Sequence, residues 1–160
     1  MGYKRMDSAT YLSGLLAKAL SRAFSEKAAG IGFSPGQFPV LVELWAEDGL
    51  TQRALLERLD IEQATLANTL ARMERDGLIE RHPHPTDRRA SINRLTDKGR
   101  LIEKDAIEAI EAAEASVFSK LGRFERALLL EYMRIAIGQD RHPLDLPRME
   151  PSSGTPDSGS

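Results

Sequence analysis

Residues 50–100 read LTQRALLERLDIEQATLANTLARMERDGLIERHPHPTDRRASINRLTDKGR, and this stretch decides the fold. Its first part predicts two helices with a very short break between them. Leu50 and Thr51 open the first, TQRALLERL, with Thr51 placed to cap its free N–H groups. Leu55, Leu56 and Leu59 fall on one face at amphipathic helical spacing. Asp60 and Ile61 break the pattern. Aspartate is one of the few residues besides glycine that tolerates the left-handed conformation a tight inter-helix turn often needs. EQATLANTLARMERD then resumes the spacing with Leu66, Leu70 and Met73. Two short helices, one turn, and polar residues off the second apolar stripe make a helix-turn-helix pattern.

Helix pairs are common, so the residues that follow carry the distinction. Gly77 is placed to end the second helix in a left-handed C′ position. Leu78 to His82 reads as a short strand. His82 to Arg89 reads as a turn, because Pro83 and Pro85 deprive a strand of donors. Ala90 to Leu95 reads as the returning strand, and Thr96 as the cap of the next helix. A hairpin directly after a helix-turn-helix is a winged helix. Adjacent arginines at a wing tip suit the narrow minor groove, whose negative potential attracts guanidinium groups.

Outward from this head, Met1 to Ser8 reads as a flexible arm. Leu12, Leu15, Leu16, Ala19, Leu20, Ala23 and Phe24 predict an amphipathic helix from Thr10 to about Ala29. Ser34-Pro35-Gly36-Gln37 combines an N-cap, a proline at N1 and a Gln three residues after the cap. The helix it starts carries Phe38, Val40, Leu41, Leu44 and Trp45 and stops near Asp48-Gly49. From Thr96 or Asp97 a long helix of about 25 residues is expected, with Leu101, Ile102, Ala106, Ile110, Ala113, Val117 and Leu121 on its apolar side. Glu103, Asp105, Glu108, Glu111 and Glu114 form its solvated face. Arg123 to about Gly138 gives a last helix that Leu128, Leu129, Leu130, Met133, Ile135, Ala136 and Ile137 make apolar nearly all round. Such a helix must be buried on every side, and a second subunit is the natural cover.

The fold class expected is mainly α (α+β): a winged helix-turn-helix head with N- and C-terminal helices forming a dimerisation region. Residues 1–9 form the arm and 10–142 a single domain, with the head at about 34–100 and the dimerisation helices at about 10–30 and 97–138. Residues 143–160, rich in Pro, Ser, Gly and Asp, are expected to be disordered.

A chain of 160 residues is one domain's worth and buries a core without staples. The absence of cysteine excludes disulfides, thiolate metal sites and thiol-based switches. No apolar run approaches the ~20 residues that span a bilayer. MGYKRMDSAT lacks the apolar core of a signal peptide, so a soluble, cytoplasmic protein is expected. Net charge is −2, yet Thr51 to Arg100 holds ten basic and eight acidic residues, a local excess of the sign nucleic acid requires.

On the second helix of the head, Gln63, Ala64, Thr65, Asn68, Thr69 and Arg72 lie mostly away from the leucine stripe. They read either as a solvated face or as a recognition surface. In the second case Gln63 and Asn68 suit adenine, Arg72 guanine or phosphate, and Ala64 and Thr65 a thymine methyl. His82 and His84 offer two poor metal ligands, and no metal or cofactor is expected. With no phosphate loop and no nucleophile signature, neither is an enzyme. Tyr11, Phe24, Phe38 and Trp45 are either core aromatics or the lining of an effector pocket between the dimer helices and the head.

The run IEQATLANTLARMERDGLIER, then DRRA, then RLTDKGR, resembles the MarR family of bacterial transcriptional regulators. Its strongest signature is Asp87-Arg88-Arg89 followed by Leu95-Thr96 and Gly99. The resemblance spans Tyr11 to Gly138 in helix order, with specific motifs from Ser34 to Arg100. Asn93 departs from it, standing where the family usually has an apolar strand residue, which is expected to loosen the wing. Asp60 departs too, standing where the family often has glycine. The resemblance implies a homodimer on a pseudo-palindromic double-stranded DNA operator, with half-sites about one helical turn or ~34 Å apart. It makes Arg89 the residue inserted into the minor groove, Asp87 its orienting partner through a charge-assisted hydrogen bond, and Arg88 a phosphate contact. It further implies a repressor released by a small aromatic or anionic effector. A rival reading is a winged-helix protein–protein interaction module without DNA binding, its arginines facing an acidic partner.

Overall fold

Ser8 accepts a hydrogen bond from the Tyr11 amide and starts α1, Ala9–Ala28, in a computed structural model that describes Gly2 and residues 4–139. Before it, within the expected arm, Arg5–Asp7 form one turn of 3-10 helix, and the Arg5 guanidinium sits 5.6 Å from the centre of the Tyr11 ring. The Ser34 box closes as the sequence predicts, with Gln37 Oε1 accepting from the Ser34 amide at 2.8 Å. It caps a single 3-10 turn, Pro35–Gln37, which leads into α2, Phe38–Ala46.

The first departure from expectation comes at Leu50–Thr51. These residues form a short strand, β1, before Thr51 caps α3, Gln52–Arg58, by accepting from the Ala54 amide. Leu50 therefore belongs to a sheet, not to the helix it was expected to open. The inter-helix turn also differs. No residue other than glycine has positive φ among the described residues, so Asp60 is not left-handed. The chain turns instead through an Ile61 amide bond to the Leu59 carbonyl at 3.0 Å.

After α4, Gln63–Arg75, Gly77 takes φ +73°, the Leu78 amide bonds the Met73 carbonyl, and the Gly77 amide bonds that of Glu74. These are the two bonds of a Schellman cap. β2, Ile79–Pro83, and β3, Ser91–Leu95, pair antiparallel with Ile79 opposite Leu95 and Pro83 opposite Ser91. The sheet order is β1-β3-β2, so Pro83 ends an edge strand, where a missing donor costs little. Asn93, expected to loosen the wing, is 2% exposed, and its Nδ2 donates to the Leu50 carbonyl at 3.0 Å. It ties β3 to β1.

Thr96 caps α5, Asp97–Leu101, by accepting from the Gly99 amide. The expected single long helix is interrupted at Ile102 and resumes as α6, Glu103–Val117, ending short of Leu121. Leu101, expected on its apolar side, is 80% exposed, while Ala109, not expected there, is buried. Ala has no side-chain bulk, and α1 packs closely along α6 with Phe24 and Ala28 beside Ala109 and Ala113.

The main core joins α2, α3, α4 and the sheet through Leu41, Leu44, Leu55, Leu66, Leu70, Met73, Leu78 and Ile79. Truncating any one of these leucines to alanine removes about 2–5 kcal/mol. Residues up to Ser119 form one compact unit, and those from Lys120 a second. In the second, Glu125 Oε2 accepts from the Gly122 amide at 2.7 Å at the start of α7, Arg123–Ala136. None of its residues is buried, and Phe124, Leu128 and Tyr132 are 84%, 52% and 64% exposed. The tail expected at 143–160 lies outside the described residues. No described helix is long and apolar enough to cross a membrane.

Candidate nucleic-acid interface

The 3.6-residue repeat of α4 sorts its side chains physically. Leu66, Leu70 and Met73 are fully buried against the core, which turns Ala64, Thr65, Asn68 and Arg72 outward, all exposed; Gln63 lies on the side of the buried stripe and is exposed because it opens the helix. Thr69 is half-buried, and its hydroxyl donates to the Thr65 carbonyl at 2.9 Å, so the helix itself occupies that donor. The structure leaves five of the six residues exposed, and four of them, Ala64, Thr65, Asn68 and Arg72, share the outward face.

The wing tip is held by its own short bonds. The His84 amide donates to the Ala90 carbonyl and the Ala90 amide to that of Asp87, both at 3.1 Å. His84 Nδ1 accepts from the amides of Thr86 at 3.2 Å and Asp87 at 3.1 Å. Asp87 Oδ1 then accepts from the Arg89 amide at 2.9 Å. Asp87 and Arg89 are thus partners, but the carboxylate grips the backbone and leaves the guanidinium exposed.

Ion pairing across the head is uneven. Arg53 pairs with Glu57, Arg58 with Glu43 and Glu47, Arg75 with Asp76, Arg81 with Glu74, and Arg100 with Asp48. Among the described residues Arg72, Arg88 and Arg89 pair with no carboxylate. Arg94 on β3 is likewise exposed without a carboxylate partner, so positive charge left unneutralised falls on the outward face of α4, on the wing tip and on β3.

One neighbour of this surface is absent from the sequence reading. Between the start of α3 and the wing lies a concavity of ≈ 330 Å³ lined by Thr51, Gln52, Arg53, His84, Asp87 and Arg89. Local periodicity gives no sign of it, because the pairing of β1 with β3 brings its two sides together over some forty residues.

At the far end of α4, Gln37 is buried and its Nε2 donates to Asp76 Oδ2 at 2.9 Å. This bond, then the neighbouring Arg75 and the charge of Lys98, hold the Asp76 carboxyl below its usual range. The aromatic residues divide. Phe24, Phe33 and Phe38 pack ring against ring at 5.0–6.1 Å, with Trp45 6.0 Å from Phe38. Trp45 Nε1 donates to the Gly99 carbonyl at 2.9 Å. Tyr11 lies apart, lining a shallow concavity with Thr10, Gly14, Leu15 and Lys18. Among the described residues no three His, Cys, Asp or Glu side chains converge on a metal position.

Known proteins share this arrangement. The MarR family profile matches residues 33–91, which run from the loop before α2 through the wing. The transcriptional regulator HosA of Escherichia coli O111:H- is 33% identical over 98 residues, covering 61% of this chain and 73% of its own. The chain belongs to the MarR family. Among solved structures, the PcaV transcriptional regulator of Streptomyces coelicolor, in complex with its natural ligand, superposes with a TM-score of 0.78 at 25% identity. That match covers 86% of this chain and 97% of PcaV. A MarR transcriptional regulator of Methanosarcina mazei Go1 gives 0.72 at 26% identity over 81% and 93%. These MarR proteins are transcriptional regulators and not enzymes, and this chain is a transcriptional regulator of the same family.

Proposed function

We propose that this MarR protein binds a pseudo-palindromic operator as a homodimer, with α4 in the major groove and the wing in the adjacent minor groove. The observation that carries the reading is the set of unpaired arginines: the head's other arginines are paired internally except Arg94 on β3, while Arg72, Arg88 and Arg89 face outward from α4 and the wing. An unneutralised guanidinium on a recognition face releases counterions from phosphate or binds a base edge bidentately. Gln63, Asn68, Ala64 and Thr65 read bases, Arg72 contacts guanine or phosphate, Arg88 contacts phosphate, and Arg89 enters the minor groove. Thr69, whose hydroxyl donates to the Thr65 carbonyl, keeps acceptor capacity on its oxygen for a DNA contact.

The apolar side chains that α7 leaves exposed support a second copy as cover. Seated on its operator, such a dimer excludes other proteins from the same duplex and represses. A small aromatic or anionic effector releases it by favouring a head-to-head spacing the operator does not fit, which requires unequal binding to the two spacings. PcaV, solved with its natural ligand, supports this for the fold.

Selection from randomised duplexes tests the reading, followed by fluorescence anisotropy on the recovered site at several salt concentrations. An inverted repeat bound at least tenfold more weakly by Arg89→Ala is the expected result. An unenriched pool, with weak binding indifferent to Arg89, would favour a protein partner instead.

A further inference from the structure

We propose that His84 is the positioning residue that shapes the wing tip for Arg89, and that it does so only as the neutral imidazole. This inference rests on the operator reading above and adds a residue to it. In most turns the side chain that accepts backbone N–H bonds ahead of it is Asp, Asn or Ser. Here His84 fills that role, with Nδ1 accepting from both Thr86 and Asp87. Pro85 fixes the backbone between them. Asp87, whose amide is held in this way, accepts from the Arg89 amide in turn. The order of the wing tip thus passes from His84 to Asp87 to Arg89.

Neutral imidazole offers one acceptor nitrogen, whereas imidazolium has two donors and no acceptor. Protonation would set an N–H against two backbone N–H groups, with only the Thr86 hydroxyl oxygen at the longer distance of 3.4 Å to receive it, and release the turn. The charged groups facing His84 are Asp87 and Arg89 on the tip and Arg53 of α3 across the concavity. On β2, His82 pairs with Glu80 through Nε2 at 3.2 Å and lies outside this chain of bonds. The sign of the effect separates it from simple electrostatics. Protonated histidines beside phosphate would tighten binding on acidification, whereas loss of the turn weakens the contribution of Arg89.

The test uses the full chain and the operator recovered by selection, comparing wild type with His84→Asn, His84→Ala and Arg89→Ala from pH about 8 to about 5.5, the range of imidazole titration. Asparagine keeps an acceptor and does not titrate. At pH about 8, His84→Asn should bind like wild type and His84→Ala roughly three- to tenfold more weakly, the scale of one or two lost hydrogen bonds. On acidification wild type should lose a similar factor relative to His84→Asn. The amide resonances of Thr86 and Asp87, followed without DNA, should shift with pH in wild type and stay still in His84→Asn. A constant ratio between wild type and His84→Asn, His84→Ala as tight as wild type, or amides indifferent to His84 overturns the proposal. If no protein binds duplex, the operator reading falls together with any role in DNA contact, and the amide shifts separate that failure from failure of the turn itself.

Discussion

Gly99 runs so close beneath Leu78 that a Cβ on it would stand 2.2 Å from the Leu78 carbonyl oxygen. The same carbonyl accepts from the Thr96 amide at 3.0 Å, and the Thr96 hydroxyl donates to the Gly77 carbonyl at 2.6 Å. The first turn of α5 is therefore pressed against the chain that links α4 to β2. Backbone cannot yield as a flexible side chain does, so Gly99→Ala should destabilise the protein by about 2–4 kcal/mol. Urea unfolding checks this, and a loss below about 1 kcal/mol would show that the link can shift.

Gln37 and Asp76 give a dependence on acid. The folded carboxyl titrates below its unfolded counterpart, so its contribution is complete above the ordinary aspartate value of about 3.9 and fades as pH falls through the lower folded value. Wild type should lose stability relative to Asp76→Asn on going below pH about 4. Equal acid profiles for the two would mean that the Gln37 bond favours neither form. The carboxylate is solvent-accessible, so the difference should be small.

In the proposed homodimer, placing a charge on the exposed face of α7 should separate the subunits. Leu128→Lys is expected to weaken self-association at least tenfold in sedimentation experiments while the helical circular dichroism signal is kept. Operator affinity should fall with it, because in the proposed complex each head contacts one half-site. A variant that stays dimeric would place the interface elsewhere.

Asn68 and Arg72 should fail in different ways. Asn68→Ala should relax preference at one base position by about 1–3 kcal/mol, with the salt dependence intact. Arg72→Ala, if its contact is to phosphate, should weaken all sequences alike and lower the salt slope by about one. Selection profiles and salt titrations of both variants distinguish the two kinds of contact.

Most of the head was legible because its signals are local. The leucine spacing of α4, the glycine after it and the prolines of the wing each act on residues a few positions away. What escaped was non-local or lacked a usual signature. Leu50–Thr51 gain strand geometry only from Ile92 and Asn93, and the buried Asn93 gives its amide nitrogen to the Leu50 carbonyl while its Oδ1 has no partner among the described residues. Asp60 suited a left-handed turn by type, but the chain closed that turn without one. Of the candidate site, the exposed face of α4 followed from periodicity. The bond between Asp87 and Arg89 followed only in part, since residue type does not reveal whether a carboxylate holds a guanidinium or an amide. Nothing in the pattern marked His84 as an acceptor, because histidine rarely fills that place.

Only Asp76, Gly77 and Leu78 separate the last residue of α4 from the first of β2, and the Schellman bonds span them. The head therefore has no slack between the helix and the hairpin, and works as a gauge of fixed length. A duplex whose two grooves stand at a different offset cannot be met by stretching the protein, so it must itself deform. In the proposed complex, local twist and groove width of the DNA thereby become part of what each half-site is selected for, at base pairs no side chain touches.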